Sequence, residues 1–432
     1  NAGGVGYSGF TAADTTTVTG AAGFDDASKV SQGMTFVNAT SVGGSGTIAN
    51  VVGSFADNTG ASSASGIVYS GFDAVTGTGG SVTGVTGSFN LGTKVSSAST
   101  LDYSGFGVTT LTGSGAGATI AGSGQTYTLD NTVIDQGSSG GVTWTGFGNI
   151  ADASGTVLFG TGGRLSGNVT AATLNYGSYG SAVNFALSNG SGATTGIGGT
   201  WAGVTAVTGN GNGAITGSST FALSGANAGS AGGVAFTGFT AADAATITGA
   251  AGFNSAAKSS LGMTFANATS VAGSGAITNL GGTAFNLSGT KTGNAGGVGY
   301  SGFTAADTTT VTGAAGFDDA SKVSQGMTFV NATSVGGSGT IANVVGSFAD
   351  NTGASSASGI VYSGFDAVTG TGGSVTGVTG SFNLGTKVSS ASTLDYSGFG
   401  VTTLTGSGAG ATIAGSGQTY TLDNTVIDQG SS

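Results

Sequence analysis

The chain has 432 residues, 91 of them Gly, with 6% charged residues and a net charge of −11 at pH 7; Pro, Cys and His are absent, and every acidic residue is Asp. Seven basic residues in so acidic a chain argue against nucleic acid or an anionic membrane surface as partner, and the missing His and Cys remove the commonest general base, metal ligand and redox group. A hydrophobic share of 38% excludes a disordered linker, the lack of a three-residue Gly period excludes collagen, and no apolar run is long enough for a membrane-spanning helix.

In chain order, the first aromatic anchor is Tyr7 in "GVGYSGF". "FDDASKVSQGM" around residues 24 to 34 offers at most a two-turn helical excursion, because Gly recurs too often elsewhere and Glu is missing. Its Asp25–Asp26 pair reads as a solvated loop in preference to a calcium or acid/base site. After Phe36 in "GMTFVNA" and Tyr69 in "GIVYSGF" come "DAVTG", "SVTGVTG" and "SFNLG". These are strands of about 4 to 6 residues, β-branched and of period two, separated by Gly, Ser or Asn turns. Tyr103 opens the next unit, with "GVTTLTG", "ATIAG" and "QTYTLD", and Asp130 and Asp135 follow in "TLDNTVIDQGSS", where turn formation is the commoner role than cation binding.

Trp144, Tyr176 and Trp201 are the next anchors, and the lone Arg164 lies between the first two. From Gly232 the sequence follows the stretch from Gly3: Phe236 stands for Tyr7 and Phe265 for Phe36, while Asn254 and Ser255 replace Asp25 and Asp26. The carboxylate pair is thus dispensable between copies. Residues 294–432 repeat residues 1–139 letter for letter, so Tyr300 repeats Tyr7. The expected organisation is one block over 1–293, of about nine units of about 33 residues, and the start of an identical block over 294–432.

Short strands, a recurrent aromatic and no Pro predict an all-β fold: a parallel β-solenoid with Gly-rich corners, its equivalent strands stacked about 4.8 Å apart. Stacking like on like predicts an aromatic ladder through Tyr7, Phe36, Tyr69, Tyr103, Trp144, Tyr176, Trp201, Phe236, Phe265 and Tyr300. A propeller or sandwich would need longer strands and hairpin signals at two-residue loops, and none is apparent.

Little here supplies chemistry. Calcium-binding nonapeptides need an Asp after the glycines, which "GTGGSVTG" lacks; "GxGxxG" spellings arise by chance at this Gly content. Ten dispersed Asp, four Lys and one Arg per block make a glycan-cleaving β-helix improbable, so no enzyme, cofactor or metal is expected. The Thr cluster at 15 to 19 does not recur as an ice-binding array would, and the sequons at Asn38 and Asn168 are expected by chance in so Thr-rich a chain.

The words "YSGFDAVTGTGGSVTG" and "WTGFGNIADASGTVLFGTGG" resemble the repeat regions of filamentous-haemagglutinin-like adhesins, secreted β-solenoid proteins of diderm bacteria. That resemblance implies secretion through an outer-membrane partner and roles in adhesion or biofilm. The expected function is therefore a structural extracellular fibre or filament at the cell surface. Its partners would be further copies of itself, stacked axially or laterally, and matrix or cell-surface glycans. A glycan- or host-surface-binding module, which would need an exposed aromatic row, is the alternative.

Overall fold

The computed structural model describes residues 4–408, 410–423 and 426–432, and every regular element among them is a β-strand. The chain forms two units, Asn1–Ser218 with Asn227–Asp243, and Ser219–Ala226 with Ala244–Ser432. Each is a β-solenoid.

The strands are built as the alternation predicts. In Thr110–Ala121 the Leu111 side chain turns inward between Thr110 and Thr112, and the same alternation buries Val82 and Trp144 on their own strands. Successive coils pair in parallel, so inward residues form columns. In the first unit Phe55, Val82, Leu111 and Trp144 lie one above another. Beside them run Phe89, Ile120, Ile150, Val169 and Trp201, and then Tyr127, Val157, Leu174, Val207 and Phe236. The second unit repeats the arrangement with Phe221, Ile247, Val271 and Tyr300, and with Phe285, Val311, Val335 and Tyr362.

Coil length is uneven. Hydrogen bonds that cross from one coil to the next span 24 residues at Thr40, 27 at Gly46, 33 at Thr205 and 19 at Asn168. Differences in length are taken up outside the columns, in loops, so the inward residues keep register.

Two features differ from the sequence expectation. The stretch around 24 to 34 contains no helix: it turns at residues 26–29 and continues as the strands Val30–Ser31 and Met34–Phe36. Two-residue hairpins, for which no signal was apparent, precede six of the ten anchors. They turn at Gln32–Gly33, Ser65–Gly66, Gly140–Gly141, Gly232–Gly233, Leu261–Gly262 and Gly296–Gly297, and both residues of each pair have positive φ. That is the conformation whose twist matches antiparallel strands. The usual Asn-Gly and Asp-Gly spellings are missing, and only the second-position Gly marks the turn.

Close approach between coils also uses Gly. Gly71 has φ +78°, and a Cβ there would stand 2.5 Å from the carbonyl oxygen of Gly44. Gly113 and Gly146 face each other, and a Cβ on either would meet the other's carbonyl oxygen, at 2.4 and 2.6 Å. Only a hydrogen fits there.

Candidate functional site: buried carboxylates beside the aromatic anchors

The chemistry-bearing groups of the chain gather where a column ends in an anchor. Phe24 is the last inward residue of the strand Thr17–Asp25, and two positions later Asp26 is carried under the next lobe. Its carboxylate is buried. Tyr69 Oη donates to it at 2.5 Å, Ser65 Oγ at 2.6 Å and Lys29 Nζ at 3.2 Å. The repeat rebuilds the cluster at Asp319, with Tyr362 at 2.5 Å, Ser358 at 2.6 Å and Lys322 at 3.1 Å. Burial first, then the hydrogen bond to the carboxylate, pushes the hydroxyl pKa of Tyr69 and of Tyr362 far above its usual value.

Asp26 is therefore no part of a solvated loop. The internal copy also explains how it is replaced: Ser255 takes its place, Tyr300 Oη donates to Ser255 Oγ at 3.2 Å, and Lys258 turns to the Ala266 carbonyl at 3.1 Å. A neutral hydroxyl pair substitutes for an ionic one without changing the column. Asp25, its neighbour, is a turn residue that accepts from the Ser28 amide at 2.9 Å and Asn50 Nδ2 at 2.6 Å. The Ser28 amide is the main cause holding its carboxyl below the usual range.

Two further Asp–Tyr pairs use the same geometry differently. Asp152 is buried and accepts from the amides of Gly124 at 2.9 Å and Gln125 at 2.8 Å and from Tyr127 Oη at 3.1 Å. Burial opposes its ionisation, but these donors outweigh it and hold the carboxyl below its ordinary value. Asp57 is fully buried beside Tyr103, and neither of its oxygens meets a donor among the described residues; Asp350 beside Tyr396 repeats this. Burial and then the charge of Asp57 raise the Tyr103 hydroxyl.

Asp130 and Asp135 are absorbed by local structure. Asp130 accepts from the amides of Thr132 and Val133, at 2.8 and 2.9 Å, and Asp135 from the amide and hydroxyl of Ser166, both at 2.7 Å. Arg164 is exposed. Among the described residues no group of three or more carboxylates, His or Cys is placed to hold a metal ion. At the sequons, Asn38 donates to Asp14 at 2.5 Å and Asn168 accepts from the Thr200 amide at 2.9 Å.

The ten anchors are placed unequally. Tyr69, Tyr103, Trp144, Tyr176, Phe236, Phe265 and Tyr300 are buried, Phe36 and Trp201 are half-buried, and Tyr7 is exposed. They do not lie on one another. Tyr69 rests on Val42, Trp144 on Leu111, Trp201 on Val169, Phe236 on Val207 and Tyr300 on Val271. Their ring contacts are sideways, to Phe residues of neighbouring columns: Phe24 and Phe55 for Tyr69, Phe55 and Phe89 for Tyr103, Phe159 for Tyr176. A ring over a smaller aliphatic lets adjacent layers interdigitate at core density.

Sequence reasoning missed one feature of these lobes. All six lysines, Lys29, Lys94, Lys258, Lys291, Lys322 and Lys387, have positive φ, in the turn between the first two strands of an antiparallel lobe. The signal was a Phe-Asp or Phe-Asn pair four to six residues before each Lys. No known protein family, curated protein or solved structure matches the chain.

Proposed function

We propose that the chain is a structural module of an extracellular fibre or filament, in which stacked coils provide length and stiffness for adhesion, biofilm or matrix architecture at a cell surface. The observation that carries this reading is the repetition of geometry with the repetition of sequence. The Asp26 cluster recurs at Asp319 with each contact within 0.1 Å. A block that reproduces its own packing 293 residues later can be added again without a new design.

The resemblance to filamentous-haemagglutinin-like adhesins supports the same reading, and with it export to the cell surface. The alternative, a glycan-binding strip of aromatic side chains, draws little support from these anchors, because seven of the ten are buried.

Electron cryomicroscopy of the material as isolated from its source tests the proposal. A rod with a layer line near 4.8 Å and a longer axial repeat from the block is expected. Compact particles without that repeat would remove the fibre reading.

A further inference from the structure

The first coil of one unit and the last coil of the other carry apolar residues at the surface. Phe10 is 62% exposed, Ile413 55%, Tyr420 46% and Leu422 76%. Each has an identical counterpart 293 residues away, and the counterparts Phe303, Ile120, Tyr127 and Leu129 are at most 2% exposed. The chain therefore displays what covers each face when it is covered.

Above Leu111, Ile120 and Tyr127 lie Trp144, Ile150 and Val157: an aromatic anchor, an aliphatic and a valine, in chain order. Leu404, Ile413 and Tyr420 repeat the lower three. The first coil offers Tyr7, Ala13 and Val18, again an aromatic anchor, an aliphatic and a valine in chain order. The reverse comparison agrees. Beneath Tyr300, Ala306 and Val311 lie Val271, Ile277 and Phe285: branched, branched, aromatic, the classes of Leu404, Ile413 and Tyr420.

We propose that the face of Tyr7, Phe10, Ala13 and Val18 docks on the face of Leu404, Ile413 and Tyr420 of a second copy of this chain, head to tail. This rests on the fibre reading and adds which faces meet. Tyr7 lands over Leu404, Ala13 over Ile413 and Val18 over Tyr420, and the strand edges at Thr17–Asp25 and Thr412–Ala414 continue the parallel ladder. Such contact joins two different surfaces, so it does not close, and copies add without limit.

Sedimentation velocity of the whole chain over rising concentration should show oligomers that lengthen without a preferred size. Ile413→Asp and Phe10→Asp alter surface positions, each spoiling one face, and each variant alone should be monomeric. Mixed together they should form dimers and nothing larger, because one intact face of each remains. A wild type that stays monomeric, a single variant that still dimerises, or a mixture that yields no dimer overturns the proposal. If circular dichroism shows either variant unfolded, Leu422→Asp or Val5→Asp replaces it. Fibres in native material alongside a monomeric chain would overturn the docking alone; native material without fibres would overturn the function.

Discussion

Asp26 and Asp57 occupy equivalent corners of the coil, yet only one is satisfied. Asp26 has three donors, whereas Asp57 has none within the described residues. Removing one donor from a buried carboxylate strands the charge at a cost of about 1–3 kcal/mol, so Tyr69→Phe should lower the urea midpoint. Asp57→Asn removes a charge that nothing compensates, and a midpoint equal to or above that of the parent is expected. A lower midpoint would show that the Asp57 carboxylate is stabilising. Asp152 gives the chain a pH dependence. Its folded pKa lies below the usual 3.8, so its contribution is complete above that value and is lost as pH falls beneath it. Acid titration followed by circular dichroism should show a shallower loss of stability in Asp152→Asn.

The elements show what could be read from the sequence and what could not. Period two and the β-branched residues marked strands such as Ser81–Val85 and Thr110–Ala121 directly, because outward Thr and inward Val or Leu are both fixed by coil geometry. The hairpins before Phe36, Tyr69 and Trp144 were hidden. Their turns are written Gln-Gly, Ser-Gly and Gly-Gly, spellings that are common by chance in a chain with 91 Gly. The buried role of Asp26 was hidden too, since its partner Tyr69 lies 43 residues away and only the coil step brings them together. Loss of the carboxylate in the internal copy looked like dispensability, but it was a paired exchange for a hydroxyl. Gly71 tests the corner geometry. Gly71→Val places a β-branched side chain at positive φ and 2.5 Å from Gly44, which should cost roughly 2–5 kcal/mol. Melting followed by circular dichroism would show it, and an unchanged midpoint would refute the close approach.

At the scale of the molecule, columns hold register while loops absorb the variation in coil length, so insertions and substitutions concentrate where no column passes. This is why Phe253, Ile277 and Ala306 stack in the internal copy as Phe24, Ile48 and Val75 do near the start. The left-handed turns have a practical outcome for proteolysis. All six lysines sit in those turns, outside every strand, and only Arg164 offers trypsin another site. Cuts after Lys29, Lys94, Lys258 and Lys291, and at the repeated Lys322 and Lys387, sever loops and leave each column held by its neighbours. Trypsin should therefore yield short fragments on a denaturing gel from a particle that still sediments as one body. A nick in this chain is a break in the thread that leaves the fabric whole.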